Sequence, residues 1–208
     1  MAKLPEPPAV EALAAISPEI KVLAADQEIW RVYFRAGSHP TLWAQFRSYG
    51  PTDARFDHHP PPARDHADRG IFYGAEMGPT CLAEVFQATR VIDRRKGSPW
   101  LVAFRLARDV SLLDLTGAWP TRAGASMNIN SGPRLRARNW SQRIYAAYPA
   151  IEGIQYASSM DANLPAFAFY ERALSSMPPA PTFHRALDDP LLLSLLQKAA
   201  LRFGYGLV

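Results

Sequence analysis

The most informative stretch of the chain is IFYGAEMGPTCLAEVFQA, residues 71–88. Its first part, residues 71–74, is apolar and rich in strand-forming side chains, so it predicts a short strand. The Gly-Pro-Thr that follows predicts the start of a helix that runs to about Ala88, with Thr80 as its N-cap. Glu84 lies across this helix from the apolar stripe, so the pattern alone predicts an exposed glutamate.

Strands and helices follow one another irregularly on both sides of this stretch. The mixed order favours an α+β fold over a regular repeat of strand, helix and strand. We interpret residues 1–28 as an N-terminal helical extension, in which Ser17 and Pro18 predict a second helix start. Residues 29–208 then form one domain. The other predicted elements are strands at 29–35, 100–106, 110–115, near 152–156 and at 165–169, and helices at 139–148 and 191–203.

The composition is that of a folded protein with a single domain. Of the 208 residues, 48% are hydrophobic and 20% are charged, which is close to the globular average. No run of eighteen apolar residues occurs, so we expect no membrane span, and Pro5 interrupts the apolar core that a signal peptide needs. The single cysteine, Cys81, excludes an intrachain disulfide and a cysteine-rich zinc site. It favours a reduced, cytoplasmic compartment.

The positive charge of the chain comes mainly from arginine. The net charge is +4, and lysine supplies only four of the 23 cationic residues. Arginine binds phosphate and carboxylate groups bidentately, so the surplus suits an anionic ligand, a nucleic acid or an acidic partner protein. Arg134, Arg136 and Arg138 occupy alternate positions of a predicted loop beside Trp140. This loop is either a solvated charge run, which we favour, or a nucleic-acid patch.

Histidines and aspartates crowd the stretch 57–66. Imidazole and carboxylate groups are ligands for zinc or iron. However, adjacent histidines such as His58 and His59 rarely point at one metal, and the neighbouring proline run favours an exposed segment. We therefore interpret the stretch as a solvated loop and predict no metal site.

Arg31 interrupts an otherwise apolar predicted strand. A guanidinium group between Trp30 and Val32 has to be desolvated or to face a cleft, so it requires an anionic partner. Arg55, beside the apolar Phe56, also suggests a guanidinium group that requires an anionic partner, but the signal is weaker than for Arg31. Both arginines are therefore candidates for binding an anion.

The segments that contain these residues resemble the RES domain family, which comprises the toxins of a bacterial toxin–antitoxin system. The resemblance covers roughly residues 29–170, and it includes a spacing of 11 positions from Tyr73 to Glu84. One departure is Ala54, where the family usually has a glycine before the arginine. The matching segments are IWRVY (29–33), ARFD (54–57), IFYGAE (71–76), CLAEVF (81–86), LLDLT (112–116) and EGIQYASS (152–159).

The resemblance implies a fold similar to that of the ADP-ribosyltransferase toxins, with small mixed or antiparallel β-sheets around a central cleft and flanking helices. It implies that residues 29–208 form the catalytic domain and that NAD is the substrate. Inorganic phosphate would be an optional co-substrate, and no metal is expected. The family residues fall on Arg55, Glu84 and Ser158 as catalytic residues, and on Arg31, Tyr33 and Tyr73 as cofactor-binding residues.

The activity implied by the resemblance is that of an NAD-degrading toxin, which cleaves the nicotinamide–ribose bond by phosphorolysis or hydrolysis. A protein ADP-ribosyltransferase that uses NAD is one alternative, and a basic nucleic-acid-binding module is an alternative of another class. The implied partner is a cognate helical antitoxin with an Xre-type helix-turn-helix part. This antitoxin would form a hetero-oligomer with the toxin and would make the DNA contacts itself, so we expect no direct nucleic-acid binding here.

Overall fold

The computed structural model describes residues 4–37 and 39–208, and none of the helices in these ranges is long and apolar enough to cross a bilayer. The strands are β1 (Ile20–Leu23), β2 (Glu28–Phe34), β3 (Tyr49–Gly50), β4 (Arg64–Asp65), β5 (Ile71–Ala75), β6 (Val91–Ile92), β7 (Pro99–Arg105), β8 (Val110–Asp114), β9 (Gly153–Ala157), β10 (Pro165–Tyr170), β11 (Phe183–Ala186) and β12 (Gly206–Leu207). The α-helices are α1 (Val10–Ala14), α2 (Gly78–Phe86), α3 (Trp119–Arg122), α4 (Arg134–Ala147) and α5 (Leu193–Phe203). Short 3-10 helices cover Met127–Ile129, Glu171–Ser176 and Pro190–Leu192.

Within the described residues, eight strands form one mixed sheet in the order β1-β8-β9-β10-β5-β2-β7-β11, and the other four strands form two small pairs. In the large sheet, β8 and β9 are parallel and the other neighbours are antiparallel. The large mixed sheet with helices around it confirms the predicted α+β class. The strands predicted at 29–35, 100–106, 110–115 and 165–169 correspond to β2, β7, β8 and β10.

The sheet carries an apolar cluster on each face. Because successive side chains of a strand point to opposite faces, alternate residues of β10 divide between the two clusters. Phe167 and Phe169 pack in the cluster that contains Phe72, whereas Ala168 and Tyr170 belong to the larger cluster that also contains the buried faces of α2, α4 and α5. The sheet is therefore covered on both sides.

Two neighbouring strands of the sheet, β2 and β5, separate almost as soon as they meet. They share one residue pair, Trp30 with Ala75, whereas β2 pairs with β7 along its whole length. The contact is close because residue 74 is glycine: a Cβ atom there would lie 2.8 Å from Cγ2 of Ile29 and 3.0 Å from the Trp30 carbonyl oxygen. Beyond this point, residues 31–34 have no partner on β5, and a gap opens in the sheet.

Helix α2 follows β5 directly, as its sequence predicts, but its N-cap lies three residues earlier than expected. Its N-cap is Met77, and no side chain caps it. Thr80 is therefore not the N-cap: it lies inside the helix, is fully buried, and its hydroxyl donates to Oδ2 of Asp161 at 2.7 Å. The Pro79 ring accounts for the difference, because proline is well tolerated in the first turn.

The N-terminal segment contains one short helix, α1, and then a strand. β1 pairs with β8 from Ile20–Leu113 to Leu23–Val110 and forms one edge of the large sheet. The second helix predicted after Ser17 is therefore wrong. Three of the four residues of β1 are β-branched or apolar, and hydrogen bonding to β8 outweighs the local helix-start signal.

The arginine-rich stretch at 134–138 is the first part of α4 and not a loop. Leucine, arginine and alanine all favour helices, so the helix starts five residues before the predicted position. Arg134 and Arg138, one helical turn apart, both donate to the Asp53 carboxylate, at 2.9 and 3.0 Å. Arg136 lies on another side of the helix and pairs with Glu6 at 2.7 Å. The alternating pattern in the sequence therefore does not form one continuous basic face.

The histidines of the stretch 57–66 are interior, so the predicted solvated loop is wrong for Asp57, His58, His59 and His66, whereas residues 61–65 are exposed. Asp57, His58 and His59 have no exposed surface, and His66 is 5% exposed. The His58 ring stacks on Tyr145 with a centroid distance of 4.4 Å. Burial explains the difference from the prediction, because Tyr145 and Glu171, the partners of His58, come from distant parts of the chain.

We predict that His58 makes the stability of the protein depend on pH. Burial lowers the pKa of His58 to about 4, from 6.5, so between these values the unfolded chain binds a proton that the folded protein does not. The free energy of unfolding should therefore fall as the pH is lowered from about 6.5 to about 4, by at most about 3 kcal/mol. Urea unfolding at several pH values measures this.

His58→Phe keeps the aromatic stacking and should remove this part of the pH dependence. The matched control is His39→Phe, because His39 is exposed. If His58→Phe retains the pH dependence of the wild type, the assignment to His58 is wrong.

Candidate active site

A cleft of about 470 Å³ opens where β2 and β5 separate. Residues 31–34 of β2 form one wall, and Ile71 and Tyr73 of β5 contribute to another. The cleft is completed by α2, by parts of the segment 39–55, and by single residues of α4 and β9. The volume is within the range of ordinary small-molecule sites.

The cleft brings together most of the residues that the sequence singled out. Five of the six line it: Arg31, Tyr33, Arg55, Tyr73 and Glu84. Ser158 is not in the wall, because it has no exposed surface. It lies directly behind Glu84 and is linked to it by a hydrogen bond.

The Glu84 carboxylate is held on both oxygen atoms. The Ser158 hydroxyl donates to Oε1 at 2.6 Å, and the Gln87 amide donates to Oε2 at 3.3 Å. The Ser158 oxygen in turn accepts from the Met160 backbone N–H at 3.2 Å. Glu84 is half-buried and faces the cleft, so the prediction of an ordinary exposed glutamate is wrong. The helix pattern placed it correctly on the side away from Leu82, but the gap between β2 and β5 lies on that side.

Arg31 is buried and charged at neutral pH. Its Nη1 donates to the carbonyl of Gln45 at 3.0 Å and to that of Trp43 at 3.4 Å, and its guanidinium carbon lies 4.0 Å from the centre of the Phe72 ring. Burial lowers its pKa to about 9, which leaves it protonated near pH 7. Among the described residues, no carboxylate forms an ion pair with it.

Arg55 lies in a tight turn that the Asp57 N–H closes by donating to the Ala54 carbonyl at 3.3 Å. Its Nη1 donates to the carbonyl of Gly132. Burial lowers the pKa of Arg55, the nearby Arg134 lowers it further, and Glu84 raises it. As with Arg31, no ion-pair partner is found within residues 4–37 and 39–208.

Three tyrosines supply aromatic surface and hydroxyl groups to the cleft. The Tyr33 hydroxyl lies 2.7 Å from Nε2 of His184. Tyr73 and Tyr156 are deeper, and burial raises the pKa of both hydroxyls, so both stay neutral at physiological pH. Tyr156 packs on Phe56, with ring centroids 4.7 Å apart. The cleft therefore combines flat apolar surface, two cations without an ion-pair partner among the described residues, the carboxylate of Glu84, and that of Asp53, which is paired with arginines of α4.

Arg47, Arg134 and Tyr156 line the cleft although the sequence does not single them out as site residues. For Tyr156 a signal exists, because it lies within the segment 152–159 that resembles the family. Arg134 was interpreted as surface charge because the sequence does not reveal its closeness to Arg55. No local signal distinguishes Arg47 from other arginines.

A scan against protein-family models matches residues 28–188 to the RES domain. The chain belongs to the RES domain family. This confirms the resemblance, and the match extends beyond the segment 29–170 in which the motifs were recognised. The RES domain thus includes every strand of the large sheet except β1.

The fold of this RES domain protein is also similar to that of a solved structure. A chain in the crystal structure of the M. tuberculosis MbcT–MbcA toxin–antitoxin complex superimposes with a TM-score of 0.58 and 14% sequence identity, over 92% of this chain and 96% of that one. A search of curated proteins found no match. At this identity, the structural likeness establishes the shared fold.

Proposed function

We propose that this RES domain protein degrades NAD by cleaving the bond between nicotinamide and ribose, and that it acts as the toxin of a toxin–antitoxin system. The observation that carries the proposal is the shared cleft: the fixed carboxylate of Glu84 faces the same space as two arginines that lack an acidic partner. A dinucleotide has the complementary charges, with a cationic nicotinamide ring at one end and an anionic diphosphate in the middle.

The diphosphate would be held by Arg31 and Arg55. A buried guanidinium without an acidic partner is strongly stabilised by a phosphate oxygen, because the cost of its desolvation is already met in the free protein. Tyr33 and Tyr73 would pack on the nicotinamide or the adjoining ribose. These contacts would orient the nicotinamide ribose towards Glu84.

The reaction would break the bond from the ribose C1′ to the nicotinamide nitrogen. The bonding electron pair moves to that nitrogen and neutralises its positive charge, and positive charge develops on the ribose, which becomes similar to an oxocarbenium ion. The Glu84 carboxylate would stabilise this charge electrostatically. Water or phosphate then forms the new bond at C1′ and loses a proton to solvent.

Ser158 would act through Glu84. Because Ser158 is fully buried and its hydroxyl donates to the carboxylate, it is a positioning residue in this proposal and does not contact the ribose. A carboxylate that is already oriented requires no reorganisation as the transition state forms. The role differs from that of Arg31 and Arg55, which line the cleft.

A cell that contains such an enzyme in its cytoplasm needs a partner that neutralises it. We propose a cognate antitoxin with an Xre-type helix-turn-helix part, which would form a hetero-oligomer with this chain and would cover the cleft. Arg134, Arg136 and Arg138 pair with acidic residues of their own chain. Their charge is therefore partly neutralised, which favours this proposal over a nucleic-acid-binding module.

Product analysis tests the reaction type. The purified protein is incubated with NAD, with and without inorganic phosphate. Free ADP-ribose or ADP-ribose-1″-phosphate supports NAD degradation, and labelled protein supports an ADP-ribosyltransferase. If NAD is not consumed and oligonucleotides bind with steep salt dependence, the proposal is wrong.

Glu84→Gln should reduce kcat for NAD consumption by about 10²-fold or more, because it removes the charge that stabilises the transition state. The fold should be retained, since Glu84 is at the surface of the cleft. Glu76→Gln is the matched control, because Glu76 is exposed on the same strand–helix segment. Equal rates for Glu84→Gln and the wild type would remove Glu84 from the mechanism.

Ser158→Ala should lower kcat by about 10-fold or more, the usual value of a hydrogen bond to a charged group, and should leave KM for NAD nearly unchanged. Ser159→Ala is the matched control, because Ser159 is the exposed neighbour and should behave like the wild type. A rise in KM with unchanged kcat would instead indicate that Ser158 binds the substrate.

A further inference from the structure

A carboxylate without any exposed surface lies below the cleft. Oδ2 of Asp57 accepts from the Thr52 backbone N–H at 2.7 Å, from the Thr52 hydroxyl at 2.8 Å and from Nη2 of Arg47 at 2.9 Å. Oδ1 accepts from Nδ1 of His59 at 2.5 Å and from its backbone N–H at 3.2 Å. Five donors thus converge on one buried side chain, whose position is fixed.

The cation in this network, Arg47, reaches the cleft. Its backbone forms a bridge to Ile71 at the start of β5, with N–H···O distances of 2.9 and 3.0 Å. Its Nη1 donates to the Tyr49 carbonyl, and its side chain, 20% exposed, is part of the cleft wall together with Arg31. Two like charges in one half-enclosed space repel each other unless an anion lies between them.

The same carboxylate also fixes the turn that carries Arg55. Thr52 and Asp57 are joined by the hydrogen bonds described above, so residues 52–57 form a closed loop with Arg55 near its tip. The loop is anchored to the core as well, since Phe56 is fully buried and its carbonyl accepts from the Ser141 hydroxyl at 2.7 Å. Asp57 therefore links two cleft arginines that are eight positions apart.

The combined charge of Arg31, Arg47, Arg55 and Asp57 matches one particular kind of ligand. Of the guanidinium groups of Arg31, Arg47 and Arg55, that of Arg47 forms an ion pair with Asp57, whereas the other two form no ion pair within the described residues, which leaves two positive charges. A diphosphate that joins two nucleosides carries two negative charges. Neutral nucleosides carry no charge that matches these arginines.

We propose that Arg47 is a further binding residue of the cleft, that it contacts the diphosphate of the dinucleotide, and that Asp57 is the positioning residue for Arg47 and for the Arg55 turn. The proposal rests on the function proposed above, because it names the part of the substrate that this side of the cleft binds. His59 donates to Oδ1 of Asp57 from Nδ1 and from its backbone N–H. This keeps Oδ2 of Asp57 directed at Arg47.

The test compares Arg47→Gln, Arg47→Lys and Asp57→Asn with the wild type in two assays. In steady-state NAD consumption, Arg47→Gln and Asp57→Asn should raise KM by about 10-fold or more and should change kcat by less than about 3-fold. In calorimetric binding, the affinity for ADP should fall in parallel, whereas the affinity for adenosine should stay unchanged. Arg47→Lys, which keeps the charge, should recover part of the ADP affinity.

The matched control is Asp65→Asn, since Asp65 is exposed on β4 and accepts a hydrogen bond from Ser48 in the same region. It should leave both assays unchanged. A double variant, Arg47→Gln with Asp57→Asn, should lose less ADP affinity than the sum of the two single losses, because Asp57 acts partly through Arg47.

Unchanged KM and ADP affinity in folded Arg47→Gln would overturn the proposal, and so would equal losses of ADP and adenosine affinity, which indicate a structural role. If Asp57→Asn does not fold, the two Arg47 variants decide the matter. If the wild type binds ADP through Arg47 but does not consume NAD, the proposed function fails while the diphosphate site is retained.

Discussion

The pairing of Trp30 with Ala75 is the constraint on which the cleft depends. Gly74 lets β2 and β5 approach closely, because a Cβ atom there would lie 2.8 Å from Cγ2 of Ile29 and would force a shift. Beyond that point the strands separate. The backbones of the two strands pair with other segments of the chain: β2 pairs with β7, β5 pairs with β10, and the backbone of Arg47 bridges to Ile71. These pairings hold the two strands on either side of the opening.

The opening brings two kinds of electrostatic environment into one cleft. In the first, Ser158 and Gln87 hold the Glu84 carboxylate. In the second, Arg31 and Arg55 carry positive charges that no carboxylate within the described residues neutralises by an ion pair. Burial makes both charges costly, backbone carbonyl groups offset part of this cost, and an anion that enters the cleft would offset more of it. A ligand that carries both a cationic ring and a diphosphate is stabilised by the Glu84 carboxylate and by the arginines. A simple anion is stabilised by the arginines alone.

The sequence predicts the elements better than it predicts their environments. The strand and helix at 71–86 follow from local signals, and the family resemblance identifies the residues that meet in the cleft. Glu84 was predicted to be exposed because helical periodicity describes one helix and not the gap beside it. His58 was predicted to be solvated because its neighbours are prolines, whereas the Tyr145 ring that buries it is distant in sequence. Arg47 carries no local signal, since its importance depends on a bridge to Ile71.

The polar interior below the cleft is itself an argument for function. A buried carboxylate with a cationic partner rarely stabilises a fold more than well-packed apolar residues of similar volume. If the segment 47–57 only had to pack against the sheet, apolar residues at positions 47 and 57 would stabilise the fold at least as well as Arg47 and Asp57. Their placement is explained if the cation is needed at the surface of the cleft, because a guanidinium group there has to be held by something rigid. Asp57 supplies this support from inside, where water does not compete for its oxygen atoms, and it leaves the exposed side of Arg47 free for a ligand.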